Sequence, residues 1–86
     1  MRVMIPSQLR SYTRGAAEID AIGATLDELL VNIEREFKGF RFRIVDEQDR
    51  VRRHIKIFVN REAVRELAHP LAPSDEVQIV GALTGG

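Results

Sequence analysis

The feature that most constrains this chain is a single amphipathic stretch near its centre. Leu26, Leu29, Leu30, Ile33 and Phe37 recur at the 3.6-residue helical period and make one apolar stripe. Asp27, Glu28, Asn32, Glu34, Arg35 and Glu36 fill the opposite face. Thr25-Leu26-Asp27-Glu28 has the form of a capping box, in which threonine hydroxyl and glutamate carboxylate satisfy orphan backbone N–H groups reciprocally. Gly39 stands where a left-handed residue closes a helix. The spacing predicts a helix over Leu26–Phe37. It has one face to bury, and a chain of 86 residues has room for one small domain in which a sheet receives that face.

The flanking patterns supply the sheet. Arg2–Ile5 and Glu18–Ile22 read as strands joined by the connection Pro6–Gly15. After the helix, His54–Val59 alternates: Ile55, Ile57 and Val59 face one way, His54, Lys56 and Phe58 the other. Glu76–Val80 alternates as well, with Val77 and Ile79 opposite Gln78 and Val80. Ala63–Arg65 is expected as a minor edge strand, and Pro70 and Pro73 stop regular structure beyond it. Phe40–Val45 has no assignable period; a short helical turn is expected there, followed by a loop through Asp46–Arg50. These elements predict a two-layer α+β domain whose core joins the helix stripe to Val3, Ile5, Ile19, Ile55, Ile57, Val77 and Ile79. Met4, Phe58 and Val80 then fall on the far face, either as an apolar patch that meets a partner or as ordinary scattered surface hydrophobics.

Composition removes several classes of function. Thirteen basic residues balance thirteen acidic ones, which argues against a generic polyanion binder. Without cysteine there is no disulfide, no thiolate metal site and no cysteine nucleophile. His54 and His69 are far apart in sequence, so no metal site is expected. The first residues carry Arg2, Arg10 and Arg14 around one short apolar run, Val3-Met4-Ile5, which makes neither a signal peptide nor a membrane span; a cytoplasmic protein with no membrane partner is expected. Ser7, Ser11 and Ser74 lie in no nucleophile-elbow context, and the carboxylates of the helix are spaced to point apart. No catalytic residue of its own is expected.

A basic run, Arg41, Arg43, Arg50, Arg52, Arg53 and Lys56, interleaves with Phe40 and Phe42. Asp46, Glu47 and Asp49 interrupt it, so nucleic-acid binding is not expected. In an extended segment Arg41 and Arg43 would share one side, which would suit a small acidic docking partner.

The C-terminus reads Gly81-Ala82-Leu83-Thr84-Gly85-Gly86. Glycine costs most to order, so this tail is expected to be mobile when free. Its lack of Cβ atoms lets the backbone enter a narrow slot, with an extended reach of about 16 Å. A frayed terminus is the plainer account of the same residues.

The helix opened by Thr25-Leu26-Asp27-Glu28-Leu29-Leu30, the strand His54-Ile55-Lys56-Ile57-Phe58-Val59-Asn60, the strand Asp75-Glu76-Val77-Gln78-Ile79-Val80 and the terminal Gly85-Gly86, in that order, resemble the ubiquitin-like sulfur carriers. This β-grasp group contains the small subunit of molybdopterin synthase (MoaD) and the thiamine sulfur carrier (ThiS), and the resemblance covers nearly the whole chain. Gly81 departs from it, standing where many molybdopterin-type members have proline.

The resemblance implies an α+β, ubiquitin-like β-grasp fold: a mixed four- to five-stranded sheet covered on one face by one main helix. It implies a domain over residues 1–82 and a tail over 83–86. It also implies a carrier with no cofactor of its own. A ubiquitin-activating-type adenylyltransferase using ATP and magnesium would adenylate the Gly86 carboxylate. A persulfide or sulfide, delivered by a sulfurtransferase or other donor, would then leave a thiocarboxylate for a downstream sulfur-accepting enzyme. Gly85, Thr84 and Leu83 would thread the tail into partner sites. Phe58, Val80, Arg65, Arg41 and Arg43 are the docking candidates, and a monomer is expected when free. A ubiquitin-like modifier of target lysines and a non-conjugating interaction module are the alternatives.

Overall fold

The Thr25 hydroxyl accepts a hydrogen bond from the Glu28 backbone N–H at 3.2 Å and opens the main helix, α1, Leu26–Glu36. The reciprocal bond is displaced by one residue: Glu28 Oε1 accepts from the N–H of Ala24, at 2.8 Å, rather than from Thr25. The next N–H groups of the helix, on Leu26 and Asp27, donate to the carbonyls of His69 and Leu67 at 3.0 and 2.9 Å. The N–H groups of Leu26, Asp27 and Glu28, which have no partner within the helix, are thereby all satisfied. The long connection after residue 65 is laid across the helix N-terminus as a result. Leu26, Leu29, Leu30 and Ile33 are buried, and Phe37, just past the helix, completes the stripe.

This structure, a computed structural model, describes residues 1–81. Its strands are β1 (Arg2–Met4), β2 (Glu18–Asp20), β3 (Ile55–Val59), β4 (Glu62–Val64) and β5 (Glu76–Gly81). They form one mixed sheet in the order β2-β1-β5-β3-β4, parallel between β1 and β5 and antiparallel elsewhere. Helix α1 covers one face, as the predicted fold requires. Val3, Ile5, Ile55, Ile57, Val77 and Ile79 are buried beneath it, whereas Ile19, on the edge strand β2, is only partly covered.

The structure refines these expectations. Strands β1 and β2 are shorter than predicted: Pro6, with no N–H to pair, ends the first, and Ile22 lies beyond the second, 73% exposed. The connection between them contains a 3₁₀ helix, Ser7–Thr13, that adds Leu9 to the core. Phe40–Ile44 is a short helix, α2, where a helical turn is expected, and in a helix Arg41 and Arg43 do not share a side as they would in an extended segment. Phe40 and Ile44, one turn apart, are fully buried together with Val45. Helix α2 starts on Gly39, at φ +92°, and its first N–H groups are capped from α1: the Glu34 carboxylate accepts from Gly39 and Arg41 at 2.8 and 2.9 Å.

Strands β3 and β4 meet in a two-residue turn. Asn60 and Arg61 both take positive φ, +50° and +73°, as the twist of a tight hairpin demands. The Asn60 side chain bridges onward: its Oδ1 accepts from Glu76 N–H, and its Nδ2 donates to Asp75 Oδ1, both at 2.9 Å. The other Asp75 oxygen accepts from Ala72 N–H at 2.8 Å. The asparagine that ends β3 and the aspartate that leads β5 are thus one hydrogen-bonded unit.

Two outcomes follow. Arginine is strained at positive φ and glycine is not, so Arg61→Gly should raise stability by about 0.5–1 kcal/mol in urea denaturation. The bonds from Ala72 and then from Asn60 hold the Asp75 carboxyl below its ordinary value. A depressed carboxyl contributes stability above its unfolded pKa and loses it as pH falls through the folded one. Asp75→Asn should therefore melt below the wild type at about pH 7, with the gap narrowing as pH is taken below about 3.

Candidate functional site

Strand β5 is the central carrier of the site because the C-terminal segment continues from its end. As far as Gln78 it is held on both sides, by β1 and by β3; beyond Gln78 it pairs with β3 alone, ending with Gly81 opposite Ile55. On the side that β1 has vacated, the 3₁₀ helix delivers Gln8, whose Nε2 donates to the Gly81 carbonyl at 2.9 Å. A Cβ at position 81 would stand 3.0 Å from that nitrogen and 3.3 Å from Gln8 Cδ. The glycine that departs from the molybdopterin-type pattern is therefore what lets Gln8 lie against the strand end.

The Gln8–Gly81 contact is a ridge between two shallow grooves. One, of about 530 Å³, runs along the sheet edge past Met4, Pro6, Arg10, Glu18 and Val80. The other, of about 290 Å³, lies towards α2 and is lined by Phe42, Arg43, Arg52 and His54. In the second, the Arg52 guanidinium sits 4.6 Å from the centre of the Phe42 ring, and its Nε donates to the Phe42 carbonyl at 2.8 Å. Arg43 lies over Tyr12 at 5.5 Å.

The open face of the sheet divides into two parts. Near β2 it is charged: Arg2 makes a two-pronged pair with Glu18, at 2.9 Å on each arm, and reaches Glu76 at 3.5 Å. Nearer β3 it is apolar. Phe58 lies between Gln78 and Ala63, and Val80 stands opposite Lys56, one diagonal step away. Val80 is 36% exposed, while Phe58 and Met4 are half-buried, so the apolar part of this face is less open than the strand pattern alone predicts.

The arginines expected at a docking surface are separated by the fold. Arg41 is turned back onto α1, with Nη2 at 2.6 Å from Asp27 Oδ1 and 3.6 Å from Asp49. Arg65 ties three segments together, donating to the carbonyls of Val51 at 2.7 Å and Ile55 at 3.4 Å. Arg43 alone of the three reaches the groove beside Gly81. Leu83, Thr84, Gly85 and Gly86, and the expected boundary after residue 82, lie outside the described residues.

Sequence reasoning passed over Gln8, Phe42, Arg52 and His54. For Phe42 and Arg52 a signal existed in the alternation of aromatic and basic residues, outweighed by the acids among them. For Gln8 there was none, since its partner is 73 positions away. Among the described residues no three His, Asp or Glu side chains gather as metal ligands, and no helix is long and apolar enough to cross a membrane.

Comparison with known proteins places these features. A model of the ThiS family matches residues 3–86. The sulfur carrier protein CysO of Mycobacterium tuberculosis, like that of Mycobacterium bovis, is 35% identical over 89 aligned positions that cover 98% of this chain and 96% of the relative. Among solved structures, the crystal structure of the Amycolatopsis orientalis BexX/CysO complex superposes with a TM-score of 0.91 at 33% identity, covering 99% of this chain and 98% of the matched one. The small archaeal modifier protein 1 of Methanosarcina acetivorans shares the fold at TM-score 0.82 and 22% identity, over 99% of this chain and 94% of its own. Carrying the family's sequence pattern along almost its full length, on the fold those relatives share, the chain belongs to the ThiS family.

Proposed function

We propose that this protein is a sulfur carrier, acted on by partner enzymes and with no catalytic residues of its own. The observation that carries the reading is the diglycine, Gly85-Gly86, at the end of a ThiS-family chain. The chemistry accounts for the tail. A C-terminal carboxylate is ionised at neutral pH and resists nucleophiles. An oxygen of Gly86 attacks the α-phosphorus of ATP, with magnesium on the phosphates, and pyrophosphate leaves. The product is an acyl-adenylate. Hydrosulfide adds to its carbonyl carbon, AMP leaves with the electron pair of the C–O bond, and loss of one proton gives the thiocarboxylate. A persulfide donor gives an acyl disulfide, which a thiol cleaves to the same product.

The adenylate must be shielded from water while sulfur arrives, and the enclosing pocket belongs to the partner. A tail without side chains at Gly85 and Gly86 enters such a pocket through the narrowest channel, with Thr84 and Leu83 guiding it. Sulfur travels on the backbone terminus, which agrees with a chain that has no cysteine. A sulfur donor and a downstream acceptor complete the partner set, and the cytoplasm, where such enzymes and ATP meet, is the proposed location. The Amycolatopsis relative is seen in complex with BexX, which supports an ordered partner interface for this chain as well. Val80, on the strand that leads to the tail, and Phe58, on the neighbouring β3, are the proposed apolar docking residues on the sheet face.

Intact-protein mass spectrometry tests the carrier reading. Incubated with a ubiquitin-activating-type enzyme of its host, ATP, magnesium and sulfide, the chain should gain the mass difference of one oxygen exchanged for sulfur. Deletion of Gly86 should abolish the gain. No gain, under conditions that convert another carrier of the family, would overturn the reading; a Gly-Gly remnant on target lysines would replace it with a protein modifier. On the sheet face, Phe58→Asp and Val80→Asp should keep the melting temperature within a few degrees and raise the KM of the activating enzyme for the carrier roughly tenfold. An unchanged KM in both would move the docking surface elsewhere.

A further inference from the structure

The groove between α2 and the end of β5 has a charge that the chain as a whole lacks. Thirteen positive and thirteen negative residues cancel overall. Yet the lining of this groove contains Arg43, Arg52 and His54, and no carboxylate among the described residues. Asp46, close enough to feel the charge of Arg52, is committed within its own turn, where Oδ1 accepts from the N–H groups of Gln48 and Arg50 at 2.9 and 3.0 Å. The groove on the other side of the Gln8–Gly81 ridge is balanced, with one arginine, Arg10, and one carboxylate, Glu18, in its lining. The two sides of the strand end are thus electrostatically unlike.

The cationic side is also built to make contact. Phe42 is 53% exposed, an unusual state for a phenylalanine, and is backed by the Arg52 guanidinium that stacks on its ring. Because Arg52 is fixed by its bond to the Phe42 carbonyl and Arg43 by its position over Tyr12, both cations are held near one place before any partner arrives. Gly81 forms the rim. Five residues follow it, with a maximum span of about 17 Å, so an enzyme that works on Gly86 must bring its surface within that distance of the groove.

We propose that this groove docks an acidic segment of the enzyme that activates the C-terminus, with partner carboxylates on Arg43 and Arg52 and an apolar partner side chain on Phe42. The proposal rests on the carrier reading and adds to it a second docking surface, separate from Val80 and Phe58. Charges at such a rim act mainly on encounter rate and salt dependence. The groove therefore sets how fast the carrier is captured, and the sheet face sets how well it fits.

Activation kinetics on the full chain, with the thiocarboxylate read by intact mass, test the assignment. For the wild type, KM for the carrier should rise severalfold between about 50 and 300 mM salt. Arg43→Glu should raise KM roughly tenfold at low salt, leave kcat unchanged and flatten the salt dependence. Arg52→Glu should do the same; since Arg52 also bonds to a backbone carbonyl, Arg43→Glu and Phe42→Ser carry the result if Arg52→Glu melts early. A wild-type gain of sulfur with KM unmoved by salt and by Arg43→Glu overturns the groove and leaves the carrier reading intact. No wild-type gain overturns both. Salt-sensitive retention of a mixed-sequence oligoribonucleotide by the wild type, lost in Arg43→Glu, reassigns the groove to nucleic acid.

Discussion

The parallel pairing of β1 with β5 is the contact on which the rest of the molecule depends. It joins Arg2 to Glu76, Val3 to Val77 and Met4 to Gln78, so the two ends of the described chain meet in the middle of the sheet. Closing so long a loop is entropically unfavourable, and the contact is sustained by what it buries. Val3 and Val77 are fully buried beneath α1, each contributing on the order of 1.5–3 kcal/mol. A parallel pair also needs a crossover long enough to return the chain in the same direction. The 3₁₀ helix, β2, α1, α2 and the β3–β4 hairpin all lie within that crossover and become the cover and both flanks of the sheet.

The same pairing creates the site. Strand β1 stops at Met4 because Pro6 cannot continue it, whereas β5 runs on to Gly81. The overhang has β3 on one side and the 3₁₀ helix on the other, and Gln8 reaches across to the Gly81 carbonyl. A strand end held by one neighbour and one side chain is fixed in place at Gly81, at the seam between an apolar face and a cationic groove. With Gly86, the proposed point of sulfur loading, five residues further on, that seam is the natural place for a partner to take hold.

Charge is used internally more than the composition suggests. Arg2 bridges three strands through Glu18 and Glu76, Arg41 binds α2 to α1 through Asp27, and Arg65 binds β4 to β3 and to the loop before it. Individually such exposed or half-exposed pairs add little to stability. Their effect is on register and on which cations remain available, and beside Gly81 those are Arg43 and Arg52.

Helix α1 was legible because its causes are local: a stripe at the helical period and a cap within four residues of its start. The alternation of β3 and β5 was legible for the same reason, and so were the buried positions they contribute. The glycine pair at the terminus is likewise a property of the sequence itself. Tertiary structure decided what depends on residues far apart in the chain. Phe40 and Ile44 become core only because α1 and the 3₁₀ helix close over them, and Arg41, Arg65 and Arg43 acquire separate roles only once Asp27, Val51 and Tyr12 are brought beside them. Short-range periodicity records which side of an element is apolar, but a guanidinium finds its partner through space, and the spacing of residues along the chain carries no measure of that distance.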